Sequence, residues 1–280
     1  MGDLLEDTAV HGKDGEYTAE VVQDWNAFGP VGGYLAVIAL RAAGAASQFD
    51  RPASISCQYF GPATFGPVRL SVQRLLAGKR AESFRVTMTQ QDRPILEAIV
   101  WTIGDIAQGL EDREAAAMPD SPPIDSLTEW ELLAAPMAPS PRLRFWQNID
   151  QRLIGWQGWH QAGEPRLDGW YRYRPRPVMS DPFADAGRAL IIVDAGAWLS
   201  AMNPYVSRTR IVAPTMSINV RFYHPANTEW MRCRSRSDTT FGGLIDSSST
   251  VWTSDGKTVA HGDCQMLYRT SGPLPAGSLP

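Results

Sequence analysis

Apolar positions along the chain recur with two periods, and the periods come in the same order twice. In RLSVQRL, Leu70 and Val72, with Arg74 in step, alternate with Ser71 and Gln73. That is the period-two signature of a strand buried on one face. The first half reads as a strand in EYTAEVVQ, a helix over 31–44, and strands over 55–60, 68–76, 83–90 and 95–103. The helix is apolar on nearly every side (Tyr34, Leu35, Val37, Ile38, Leu40), and such a helix must be enclosed. Asp92-Arg93-Pro94 predicts a hairpin turn. The second half reads as strands over 145–153 and 166–174, a helix over 184–202, and strands over 216–223, 230–236, 244–252 and 258–268. Its last hairpin, Ser254-Asp255-Gly256-Lys257, carries the Asp-Gly pair that tight turns favour.

The two halves share a register. ISCQYFGPAT from Ile55 matches INVRFYHPAN from Ile218, 163 residues on. The turns at Asp92 and Asp255, and the glycines Gly33 and Gly196, stand at the same separation. An internal repeat of this kind points to two copies of one structural unit. Each copy has one buried helix and a run of strands without crossover helices, which excludes a doubly wound fold. The expected class is α+β: a double hot-dog, each repeat a central helix wrapped by a curved antiparallel sheet. Its parts are an N-terminal hot-dog over 1–106, a Pro/Ala-rich linker over 107–141 with a short helix over 126–133, and a C-terminal hot-dog over 142–280.

Composition narrows the function. A net charge of −4 gives no basic field for nucleic acid or an anionic membrane. Arg172, Arg174 and Arg176 cluster, as a solvated strand edge or a phosphate site. The three cysteines, Cys57, Cys233 and Cys264, are too few and too spread for a disulfide framework or a zinc site, which predicts a reducing cytoplasm and no metal. The acidic start lacks a signal peptide's pattern, and Leu5-Glu6 stand where a myristoylation signal wants Ser or Thr. The longest apolar helical run, 34–46, is too short to span a bilayer and contains Arg41, so no membrane insertion is expected.

The segments FGPVGGYLAVIALRAA, SISCQYFGPATFGPVRLSVQRL, LIIVDAGAWLSAM, and SINVRFYHPAN through SDGKTVAHGDCQMLYR resemble the acyl-CoA thioesterase II family. The resemblance covers most of the chain outside the linker. It implies a double hot-dog fold, hydrolysis of fatty acyl-CoA thioesters without a cofactor, and a homodimer or higher oligomer. It also implies a water oriented by an Asp on the second central helix, a Thr opening the next strand, and a Gln in the last strand. These fall on Asp194, Thr215 and, counted without gaps, Cys264. Here the chain departs from the family: Gln265 is one residue on, and neighbouring strand residues face opposite sides. Gln265 takes the role only through a bulge or a one-residue slip.

The residues themselves support parts of this. Asp194 interrupts Leu190-Ile191-Ile192-Val193, and an enclosed carboxylate is costly unless paired or protonated. It reads as a general base or, near the helix start, as a cap. The first repeat has Val31 at the matching position, so the fold does not require the charge. Thr215 follows Pro214 and either holds a water or satisfies local backbone. Gly32 and Gly33 either let a substrate approach the helix N-terminus, whose N–H groups suit a thioester oxyanion, or serve close packing. Cys264 reads as a small hydrophobe lining the substrate site, with His261 on the opposite side of its strand. His224 reads as a strand-end residue, and His11 and His160 suggest nothing specific. Trp130, Trp146, Trp156, Trp159 and Trp170 line an acyl channel or a core. The alternatives to a thioesterase are a non-hydrolytic acyl-binding or assembly protein and a hot-dog hydratase or dehydratase, whose Asp-x-Asn-Pro-x-His segment is missing. A serine hydrolase would need the absent G-x-S-x-G.

Overall fold

Strands form where period-two alternation runs, and they hydrogen-bond into one long sheet. The computed structural model describes residues 1–104, 117–129, 141–156, 158, 161–206 and 209–273. The first half holds α1 (Leu4–Asp7), β1 (His11–Lys13), β2 (Glu16–Val21), α2 (Gly32–Ala46), β3 (Arg51–Tyr59), β4 (Gly66–Ala77), β5 (Ala81–Gln90) and β6 (Arg93–Ile103). The second holds β7 (Ile149–Leu153), β8 (Arg166–Tyr173), α3 (Pro182–Met202), β9 (Thr209–Val212), β10 (Thr215–Phe222), β11 (Met231–Phe241), β12 (Leu244–Thr253), β13 (Thr258–Leu267) and β14 (Arg269–Pro273). The 12-stranded antiparallel sheet runs β1-β2-β4-β5-β6-β3-β10-β13-β12-β11-β8-β7, and β9 pairs β14 apart from it. The order reads the same from either edge once second-half strands replace their first-half counterparts. This is the double hot-dog.

The repeat separation has a structural meaning. At the centre of the sheet Ser56 on β3 pairs with Asn219 on β10, and its hydroxyl donates to Asn219 Oδ1 at 2.6 Å. These two residues are 163 apart, so the pseudo-two-fold that relates the halves passes through their pair. The helices do not follow this separation. Gly33 lies in the first turn of α2, whereas Gly196 lies deep in α3, because 203–214 lengthen the path from α3 to β10. The Gly33–Gly196 and Val31–Asp194 correspondences are therefore not structural: Val31 precedes the first turn of α2, whereas Asp194 lies in the middle of α3.

Helices α2 and α3 pack antiparallel against each other under the sheet. A Cβ on Gly187 would meet Val37, one on Gly33 would meet Ile191 and Asp194, and one on Gly44 would meet the Phe183 ring. Both helices are buried along most of their length, as apolarity on all sides demands. Asp181 caps α3 from Phe183 and Ala184 N–H. Val31 offers α2 no side-chain cap.

Other boundaries shift for local reasons. The strand expected over 145–153 begins at Ile149, because 141–148 coil into a 3-10 turn that seats Phe145 against Trp25 and Trp146. The first hairpin turns at Gln91-Asp92, both at positive φ, and Arg93 already pairs with Gln90. Of the short helix expected over 126–133, residue 126 ends a 3-10 turn at Ile124–Ser126 and residues 127–129 are not helical, with Glu129 bridging to Arg152; 130–133 lie outside the described residues. Linker residues 117–129 instead lie on the second half, where Trp170 Nε1 donates to Ser121 Oγ at 3.2 Å and Arg152 to Ile124 O at 2.9 Å. No helix among the described residues is long and apolar enough to cross a membrane.

Candidate active site

Asp194 sits in the middle of α3, far from that helix's start, and is 6% exposed. It does not cap its own helix. Its Oδ2 accepts the N–H of Gly33 at 2.7 Å, so it supplies the N-terminal cap that α2 lacks. Its Oδ1 accepts the Thr215 hydroxyl at 2.8 Å. Burial pushes the Asp194 carboxyl above the ordinary carboxylate value, and the two donors partly offset that. A carboxylate held by two neutral donors, with a raised proton affinity, is suited to take a proton from water near neutral pH.

Gly33 is glycine because the helices touch here: a Cβ would lie 2.9 Å from Ile191 Cα and 3.0 Å from Asp194 Cβ. At Gly32 the same atom would make ordinary contacts with Asp194 and Thr215 at 3.4 Å. Gly33 N–H is occupied by the carboxylate, which removes it from the expected oxyanion site. At the opposite end of the helix pair the Phe183 ring packs on Gly44.

A bulge aims Thr215 at the site. Ile218 and Val220 of β10 face inward, and strict alternation would turn Thr215 outward. The pairing of β10 with β13 shifts between Thr215 and Ser217, so Met216 is an extra residue and Thr215 stands opposite the buried Met266.

No comparable bulge in β13 brings Gln265 inward. Gln265 pairs with Ser217 and Asp246 on the outer face, and its Nε2 donates to Asp246 Oδ1 at 3.0 Å. The expectation that Gln265 joins Asp194 and Thr215 is corrected: strand alternation carries it to the other side of the sheet. Cys264 is the inward residue, 2% exposed, opposite Ile218 and Ser247. The equivalent row in the first half is Phe84, Val100 and Ile55. Smaller residues under α3 admit a closer helix: a Cβ on Gly262 would come within 2.9 Å of Val193. Burial, with the charge of Asp194 adding, pushes the Cys264 thiol well above its usual range. His261 bonds Thr250 Oγ1 through Nδ1 at 3.0 Å, away from Cys264.

Tyr59 was not singled out by sequence, yet it borders the site. Its hydroxyl donates to the Gly32 carbonyl at 2.7 Å. A signal existed in the repeat: its counterpart is Phe222, so the fold does not need the hydroxyl. The arginine cluster is engaged by carboxylates: Arg172 and Arg174 reach Asp150, and Arg176 reaches Asp3 at 3.0 Å. Trp156 and Trp170 are buried and Trp146 packs on Phe145, while Trp130, Trp159 and His160 lie outside the described residues.

Comparison with known proteins bears on the family and the fold. The family described as acyl-CoA thioesterase N-terminal domain matches residues 21–103, and its C-terminal domain counterpart matches residues 117–263. No curated protein matches the chain. Among solved structures, a hot-dog protein of unknown function from Alicyclobacillus acidocaldarius is 20% identical with a TM-score of 0.80, covering 97% of this chain and 98% of its own. An acyl-CoA thioesterase II from Mycobacterium marinum is 18% identical with a TM-score of 0.77, covering 96% and 99%. A tesB protein from Mycobacterium avium subspecies paratuberculosis is 19% identical with a TM-score of 0.74, covering 95% and 98%. At these identities the structures speak for the fold alone, but the family match spans both halves, and the chain belongs to the acyl-CoA thioesterase family, whose members are thioester hydrolases.

Proposed function

We propose that this protein hydrolyses fatty acyl-CoA thioesters with a water activated by Asp194. The observation that carries the reading is the buried carboxylate bonded to Gly33 N–H and Thr215 Oγ1. Asp194 takes a proton as the water oxygen bonds to the thioester carbon. The tetrahedral intermediate then expels the CoA sulfur, and the proton passes from Asp194 to the thiolate. Products are the free acid and CoA. Thr215 fixes the carboxylate while its oxygen retains a lone pair for the water. No redox step is involved.

Cys264 at the family's Gln position favours a second reading, an acyl-binding protein that does not turn over. Free-thiol release from short-, medium- and long-chain acyl-CoA, measured on wild type and Asp194→Asn, separates the two. Turnover that falls roughly a hundredfold or more in a folded Asn variant supports hydrolysis through Asp194. Equal turnover in the variant refutes the role of Asp194. A folded wild type inert on every substrate favours the binding reading.

A further inference from the structure

We propose that Tyr59 is a positioning residue for Asp194, acting through the single peptide unit that joins Gly32 to Gly33. The inference rests on the hydrolytic reading. Tyr59 donates to the carbonyl oxygen of that peptide at 2.7 Å, and the N–H of the same peptide donates to Asp194 Oδ2 at 2.7 Å. The amide is planar and conjugated, so charge drawn toward its oxygen makes its N–H a stronger donor. The phenol thus reaches the carboxylate across one rigid plate. It also pins the first turn of α2, whose N-cap Val31 supplies no side-chain bond.

The surroundings make this contact consequential. Cys57 and Tyr59 from β3 and Cys264 from β13 face Asp194 electrostatically, and Thr215 comes from β10. Burial pushes the Cys57 thiol up to about 12 and holds the Tyr59 phenol and Cys264 thiol well above their usual ranges. All three stay protonated and neutral across the working range. The ionised form of Asp194 is therefore held by its two direct donors, Gly33 N–H and Thr215 Oγ1. Tyr59 strengthens the first of these.

The test is Tyr59→Phe, a change the fold accepts at the equivalent Phe222. The acid limb of the kcat/KM–pH profile moves up by about half a pH unit, and kcat/KM on that limb falls about threefold. KM stays within about twofold. A fluorinated tyrosine at position 59, a stronger donor in the native fold, moves the limb down. The Asp194 carboxyl is also titrated by 13C NMR, assigned by its loss in Asp194→Asn. This readout needs no turnover, so it decides the proposal even if the hydrolytic reading fails. Opposite shifts in the two variants support it. An unmoved Asp194 titration in both overturns it, whatever happens to activity.

Discussion

Gly33 and Asp194 belong to different halves of the repeat, yet the N–H of one and the carboxylate of the other meet at 2.7 Å and cap α2. This contact depends on how closely the helices approach. Gly33→Ala places a Cβ 2.9 Å from Ile191 Cα, and backbone cannot swing aside as a flexible side chain can. The helices must separate, at a cost of about 1–3 kcal/mol by analogy with other overpacked cores. The expected result is a lower urea midpoint together with loss of thioesterase activity. An Ala variant with unchanged stability and turnover would show that the two helices are free to adjust.

Thr215 faces inward because β10 takes up Met216 in a bulge. Thr215→Val keeps the shape and removes the donor. Turnover should fall about ten- to a hundredfold, and the acid limb should move to higher pH, because an acceptor that loses a bond to its charged form gains proton affinity. Deleting Met216 closes β10 into a regular strand in which Thr215 directly precedes Ser217, stays opposite Met266 and still faces inward, so turnover should be retained. Met216→Ala, which keeps the residue count, should retain turnover near wild type. A deletion variant as impaired as Thr215→Val would mean that the bulged geometry itself, and not only the inward register, sets the direction of Thr215.

All three cysteines are free and buried, and burial raises the Cys57, Cys233 and Cys264 thiols far above the pH of ordinary assays. A buried, protonated thiol is a poor nucleophile. Ellman's reagent should find no thiol in the native protein and three after denaturation. A fast-reacting native thiol lost in Cys264→Ala would instead place a reactive sulfur in the site.

Most strands of the long sheet, and the inward face of residues such as Leu70 and Val72, were readable because period two is a local property and the repeat doubled the signal. Ser56 and Asn219 even sit on the axis that the separation of the two halves implies. Asp194 was readable as a charge inside an apolar run. Its partner was not, because the N–H of Gly33 is brought to it by helix packing across the repeat. Thr215 was placed by the resemblance, but its direction depends on a one-residue bulge that no local pattern announces. Tyr59 was hidden by an aromatic pair that looks alike in both halves until its hydroxyl is compared with Phe222. Strands β9 and β14 escaped because their pairing joins distant segments.

The register of β13 separates Gln265 from the chemistry. Its amide is spent on Asp246 at the outer face. Gln265→Ala should leave kcat and KM within about twofold, since surface changes of this kind are small. Cys264→Gln points an amide inward at the position the family uses. If a third hydrogen bond to the water limits this protein, that variant gains turnover while Gln265→Ala changes nothing. A large loss in Gln265→Ala would mean that β13 slips by one residue in the working enzyme.

Asp194 also links stability to pH. Its folded-state proton affinity is raised, chiefly by burial, above the ordinary carboxylate value of 3.8. The folded protein thus holds a proton that the unfolded chain has released. The contribution is fully present below the ordinary value and is lost as pH rises through the folded-state value. Each unit of elevation is worth about 1.4 kcal/mol. Asp194→Asn lacks this titration. Its unfolding midpoint relative to wild type should therefore rise with pH across that interval and then level off, even as activity is lost. Urea unfolding of both proteins from acidic to neutral pH measures the difference directly. A gap that stays constant over that range would mean that Gly33 and Thr215 fully offset the burial of the charge.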